Sequence, residues 1–164
     1  MSKFIRKVAI LALGTAVLAF ALVVPPATAG DPPTKSTYQD IEQTLGSVPG
    51  MFKVFPEVGI AGAWREFESV QLNSDTALDG KTKELLGLAV AAQIPCQYCI
   101  YFHTAAAKLH GATDEEIREA VAMAAITRHW STVLNGMQVD PAVFRRETDA
   151  VLAHAAKMAK AKAK

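Results

Sequence analysis

Two cysteines, a histidine and a glutamate carry the chemistry that this sequence offers. Cys96 and Cys99 are its only cysteines, and they stand three apart in the segment CQYCIYFH, which ends on His103. On a helix these three residues occupy i, i+3 and i+7, hence one face. A dithiol with an imidazole one turn further along can form and break a disulfide, with a base at hand for the thiol proton. Glu84 lies twelve positions before Cys96. If the two segments are antiparallel helices that turn near Ile94, Glu84 and His103 stand at similar heights, since each residue advances a helix by about 1.5 Å. Given contact, Glu84 orients and recharges the imidazole, and His103 takes the Cys99 proton. Cys96, in the first helical turn, gains from the unpaired N–H groups there. Attack of Cys99 on a peroxide O–O bond would give a sulfenic acid, which Cys96 would condense with to a disulfide.

The elements that must position these groups read as helices throughout. No stretch offers sustained two-residue alternation bounded by turn signals. A first helix is expected over residues 37–45, closed by Gly46. A second covers residues 52–72, with Pro56 as a point of interruption. Asp79 is a plausible N-cap for the third, which runs to about Ala92, and Pro95 suits the first turn of the fourth, which ends near His110 with Gly111 beyond it. Thr113-Asp114-Glu115-Glu116 is a capping-box pattern that opens the fifth helix, with Gly136 at its end, and Asp140-Pro141 opens the last. The fifth helix lacks a broad polar face: Ile117, Val121, Met123, Ile126, Trp130, Val133 and Leu134 go most of the way round it. A helix of that kind is buried, and so short a domain has little interior for it, so an oligomer interface is expected. The fold class is therefore all-α, an oligomeric bundle of about six helices around a catalytic hairpin.

Lys3, Arg6 and Lys7 precede an apolar run from Val8 to Val24, and Ala27-Thr28-Ala29 follows as a cleavage pattern. Residues 1–29 thus read as a secretory signal, 30–36 as a linker and 37–164 as one helical domain with an Ala/Lys-rich C-terminal helix. The expected location is the bacterial periplasm or outside the cell, with no membrane association after cleavage. Removal of the signal leaves fourteen basic and sixteen acidic residues. That balance recommends neither nucleic acid nor anionic lipid as a partner. A C-x-x-C bridge closes too small a loop to restrain the unfolded chain much, so chemistry explains the pair better than stapling does. In an oxidising compartment any reductive cycle needs an electron supply.

The constellation resembles the AhpD-like alkylhydroperoxidases of the carboxymuconolactone decarboxylase superfamily. The likeness lies in glutamate, eleven residues, C-x-x-C, three residues and histidine, as Glu84, Cys96, Cys99 and His103 stand here. VPGMFKVFPE (residues 48–57) and LHGATDEEIREAV (residues 109–121) are similar to the family's flanking stretches. The resemblance implies an all-helical fold, trimeric or built from trimers, and thiol-dependent reduction of hydroperoxides without a bound cofactor. It implies Cys99 as the sulfur that forms sulfenic acid. Cys96 is then the more exposed, resolving sulfur, met by an external thioredoxin-like or other dithiol reductant. One position departs from the pattern: the best-studied peroxidases carry a histidine immediately before the second cysteine, and here Tyr98 stands there. A phenol titrates near ~10 and cannot replace an imidazole as base. Decarboxylases of the superfamily lack the cysteine pair, which argues against decarboxylation.

Other readings stay open. A thiol–disulfide oxidoreductase acting on protein partners would use the same dithiol, with Cys96 exchanging. Two cysteines and a histidine could instead hold zinc, with His110 or Glu84 as a fourth ligand, in a non-catalytic or redox-sensing oligomer. Haem attachment is excluded, because Ile100 stands where that motif needs histidine. Tyr98 and His129 are candidates for the pocket wall, although Tyr98 could simply pack and His129 could serve packing or an interface. His110 reads as a helix cap and His154 as solvated.

Overall fold

The computed structural model describes residues 33–162, and every regular element among them is helical. The signal segment expected at 1–29 lies outside the described residues. Seven α-helices follow in order: α1 Pro33–Leu45, α2 Gly50–Lys53, α3 Glu57–Glu66, α4 Gly80–Gln93, α5 Gln97–Leu109, α6 Asp114–Gly136 and α7 Pro141–Lys162. A π-helical turn, Phe67–Leu72, continues α3. No described helix is long and apolar enough to cross a membrane.

Several boundaries differ from those expected. The first helix starts at Pro33 rather than Thr37, so residues 33–36 are helical and not linker. Proline at a first helical position lacks only an N–H that would go unpaired there. The second expected helix divides into α2, α3 and the π turn, because Pro56 serves as the cap ahead of α3. That division brings the tally to seven rather than about six. Pro95 precedes α5 instead of opening it, and Cys96 takes the N-cap.

The densest core lies at the N-terminal side, where Ile41, Phe52, Ile60 and Trp64 are buried and Tyr38, Val48 and Phe67 pack on them. Full burial of each such side chain contributes about 1.5–3 kcal/mol. The Trp64 indole N–H donates to Asp40 at 2.6 Å, so the largest of these side chains enters the core without an orphaned donor. A ring series leads outward from this core. Trp64 stacks on Phe67 at 6.0 Å, Phe67 meets Phe102 at 6.2 Å, and Phe102 meets the His103 ring edge-on at 5.3 Å.

The C-terminal half is built differently. α4 packs on α5 and on α6. Among the described residues α6 is little buried: Ala124 is its one buried residue, while Ile126 and Trp130 stay half exposed. α7 buries no side chain at all. Alanine and lysine favour helix without tertiary support, so the apolar pattern of α6 and the propensity of α7 produce helices that the other described residues do not bury.

The caps of α4 and α6 are charged and mutually linked. Asp79 accepts the Thr82 backbone N–H at 2.7 Å, Thr113 and Glu116 form the capping box, and Lys81 Nζ reaches Glu116 at 2.7 Å. The Thr82 backbone N–H holds the Asp79 carboxyl below its usual range, and Lys81, with the Thr113 N–H, does the same for Glu116. A carboxyl lowered on folding stabilises the fold fully above its unfolded pKa and loses that contribution as pH falls through the folded value. Wild type and Asp79→Ala should therefore differ in melting temperature at neutral pH and converge on acidification. Thermal unfolding followed by circular dichroism across the acid range checks this; a gap that persists at low pH contradicts it.

Candidate active site

The site is a helical hairpin closed by a tight turn. α4 ends with the Ile94 N–H donating to the Val90 carbonyl at 3.1 Å, and the Cys96 N–H returns to the Ala91 carbonyl at 3.1 Å. The chain reverses across Ile94 and Pro95. Proline disfavours helix at the residue before it and cannot donate a backbone hydrogen bond, which is why α4 stops here. Cys96 then caps α5, its Sγ accepting the Cys99 backbone N–H at 3.2 Å. Cys96 and Cys99 are disulfide-bonded.

The hairpin brings Glu84 and His103 together. Glu84 Oε2 lies 2.7 Å from His103 Nδ1, with the carboxylate side chain 4% exposed and the imidazole 17%. A carboxylate only accepts, so Nδ1 carries the proton and donates, leaving Nε2 with its lone pair as the available base. Cys99 is one turn before His103 on the same helix and shares two cavities with it. One, of about 710 Å³, is lined by Met51, Val54, Phe67, Gln71, Tyr98 and Phe102 as well as by both cysteines and His103. The other, of about 410 Å³, lies between Val70, Leu78, Leu86 and Ile94 and is reached by Cys99 and His103 but not Cys96. Both walls are mainly apolar. Cys96 and Cys99 are both partly buried residues, and of the two only Cys99 lines both cavities.

The remaining candidates divide. Tyr98 lines the larger cavity while 90% exposed, so it stands at the mouth rather than in the interior. His129 is not brought to the pocket: it is exposed on α6, its ring against Trp130 at 5.3 Å, and lines neither cavity. His110 stands against Gly80 at the start of α4, two turns beyond His103. Among the described residues no three His, Cys, Asp or Glu side chains converge as a metal-binding group.

Two residues at the site escaped the reading of the sequence. Gln71, in the π turn, donates from Nε2 to Glu84 Oε1 at 3.1 Å. Its only local signal is a polar residue between Val70 and Leu72 at the end of a helical stretch. Gly87 lies under the imidazole: a Cβ there would stand 2.5 Å from His103 Nδ1. The glycine three residues after Glu84 was a legible signal, since mid-helix glycine costs about 1 kcal/mol against alanine and calls for a packing reason.

Comparison with known proteins agrees with this geometry. The model of the carboxymuconolactone decarboxylase family matches residues 59–140, a stretch that contains Glu84, Cys96, Cys99 and His103. The chain belongs to that family. It is similar to the crystal structure of an alkylhydroperoxidase AhpD core from Rhodospirillum rubrum, with a TM-score of 0.58 and 29% identity over 70% of this chain and 88% of that one. The fold is thus the AhpD-like all-helical one. The chain is also 46% identical over 55 residues to uncharacterized protein 4 in the cox locus of Paracoccus denitrificans, covering 34% of this chain and 50% of that protein. An uncharacterized protein of Cupriavidus necator is 41% identical over 49 residues, 30% of this chain and 43% of its own. The matches span half or less of these two curated relatives.

Replacing Gly87 by alanine should force the imidazole off α4 and break its contact with Glu84. A hydrogen-bonded Nδ1–H gives a low-field proton resonance. The resonance should be present in wild type and lost in both Gly87→Ala and Glu84→Ala, with helix content unchanged. Its survival in Gly87→Ala would show that the ring does not need the glycine.

Proposed function

We propose that this family member is a thiol-dependent peroxidase that reduces alkyl hydroperoxides through a dithiol–disulfide cycle. The observation that carries the reading is the 2.7 Å contact between buried Glu84 and His103, with Cys99 one turn away on the same face. Starting from the reduced pair, His103 Nε2 takes the Cys99 proton and Glu84 balances the charge on the imidazolium. The thiolate attacks the terminal peroxide oxygen, an S–O bond forms and the O–O bond breaks. The departing alkoxide collects the proton from His103 and leaves as alcohol. Cys96 thiolate then attacks the sulfenic sulfur, forming the S–S bond and releasing hydroxide, which is protonated to water. Two thiols and one hydroperoxide thus give one disulfide, one alcohol and one water.

The cycle closes when one thiolate of an external dithiol attacks Cys96 Sγ and Cys99 leaves as thiolate, protonated by His103. The second thiol of that dithiol then attacks the mixed disulfide, releasing Cys96, and the reductant departs oxidised. The N-cap position supports Cys96 in the exchanging role, because a thiolate there accepts the Cys99 N–H at the positive end of α5. The N-terminal segment argues for export, so that reductant must be delivered in an oxidising compartment. The unburied apolar surface of α6, with Trp130 55% exposed, supports association of several copies. A second reading, exchange with protein disulfides, draws on Tyr98: it replaces an imidazole and stands 90% exposed beside Cys96, where a partner protein would meet it.

Prereduced protein should consume one equivalent of an alkyl hydroperoxide and lose two thiols. Cys99→Ser should lose this reaction, while Cys96→Ser should stop at a sulfenic acid that dimedone traps. His103→Ala and Glu84→Gln should slow the step, by roughly 10²–10⁴-fold for loss of a general base such as His103. Thiols that persist under peroxide yet exchange rapidly with a protein disulfide would replace this reading with the second.

A further inference from the structure

The Glu84 carboxylate has two oxygens, and His103 engages Oε2. Gln71 Nε2 lies 3.1 Å from Oε1 and 3.5 Å from Oε2. Because a carboxylate cannot donate, the amide nitrogen must face it, which fixes the orientation of the Gln71 side chain. We propose that Gln71 is a positioning residue for the dithiol: its amide locks the Glu84 carboxylate so that Oε2 meets Nδ1, and the imidazole keeps Nε2 free for the Cys99 proton. The role of Cys99 as reacting sulfur rests on the peroxidase reading above.

Three observations converge on this residue. Glu84 is 3% exposed, so bulk water does not stand in for a missing donor, and leaving a buried oxygen unsatisfied is unfavourable. Gln71 also lines both cavities that flank Cys99, which puts its amide beside the reacting groups without making it one of them. Finally, it is delivered by a π-helical turn, a rare irregularity that recurs at functional sites. That same turn carries Phe67, whose ring touches Phe102 next to His103. One short segment therefore braces both members of the relay.

A neutral donor suits the task better than a cation. Lys83 is adjacent to Glu84 on α4 and lines the smaller cavity, but its ammonium is held by the Asn73 carbonyl at 2.6 Å. A lysine on the carboxylate would satisfy it permanently. An amide orients it and leaves its charge to answer the imidazolium that forms when Cys99 loses its proton. Of the titratable groups, His103 on α5 contacts Glu84, Lys83 is its neighbour on α4, and the π segment carries Glu68 three residues before Gln71. On the α4–α6 side, Glu116 is engaged by Lys81.

The test uses the full chain carrying Cys96→Ser, since serine keeps the N-cap and leaves Cys99 as the one thiol. The rate of Cys99 alkylation by iodoacetamide is followed against pH, beside hydroperoxide consumption by the two-cysteine protein. Gln71→Met removes the donor at similar length and should move the alkylation profile about one unit to higher pH, a tenfold loss at neutral pH. Gln71→Glu should match wild type on the acid side, where the introduced carboxyl keeps its proton and donates. It should fall away as that proton is lost, a pattern that loss of packing alone would not produce. An unmoved profile in folded Gln71→Met overturns the proposal. If that variant does not fold, a Gln71→Glu profile parallel to wild type overturns it instead. If wild type leaves the hydroperoxide untouched while Gln71→Met still shifts the profile, the peroxidase reading fails and the positioning role stands.

Discussion

A carboxylate withdrawn from water against an imidazole is the constraint around which this chain is arranged. Stripping solvent from Glu84 is unfavourable by several kcal/mol unless its oxygens find partners, and removing one partner of such a buried pair costs about 3–5 kcal/mol. Here Oε2 has His103 Nδ1 and Oε1 has Gln71 Nε2. The partners come from α5 and from the π turn, so three elements must be correctly placed before Glu84 on α4 is satisfied. Assembly of the site and packing of the fold are in this sense the same event.

The surrounding structure explains how that placement is held. Gly87 removes the side chain that would separate the imidazole from α4, so the two helices approach closely at the height where the contact forms. Phe102 and Phe67 connect the His103 ring to the core around Trp64. α6 fastens α4 at both ends, through Lys81 to Glu116 near the N-terminus and through Gln93, which donates to the Ala124 carbonyl and accepts from Arg128, near the C-terminus. A hairpin fastened at its two ends and braced in the middle limits the motions that would separate donor from acceptor. That is what proton transfer over hydrogen-bond distances requires.

Much of this was legible in the residues because local signals agree with tertiary ones. Asp79, Thr113 and Gly111 mark helix ends as their side chains or backbone freedom dictate, and the similar separations of Glu84 and His103 from the turn put them at one height without saying whether their faces meet. What stayed hidden depends on contacts between segments distant in sequence. Gln71 is an unremarkable polar residue until the π turn points it at a carboxylate thirteen positions on. Pro95 was expected inside α5, but the tight return of the Cys96 N–H to Ala91 uses the proline as part of the turn and passes the cap to the cysteine. His129 was read from its neighbours on an apolar helix, and periodicity alone does not say which side of that helix meets α4.

The N-cap role of Cys96 links the backbone to the sulfur chemistry. A disulfide sulfur is a weak acceptor for the Cys99 N–H, whereas a thiolate at the same place is a strong, charge-assisted one. The first turn of α5 therefore interacts more favourably with the reduced, ionised cysteine than with the oxidised one. His103 stands one turn beyond the other cysteine on the same helix. The two cysteines of one C-x-x-C segment are thus made unequal by where they lie on a single helix: the first caps the helix end, which favours charge, and the second lies one turn before the histidine that Glu84 holds. In the proposed cycle such a division lets one sulfur leave or exchange while its neighbour gains or loses a proton, and it follows from a four-residue spacing set against one imidazole and one helix terminus.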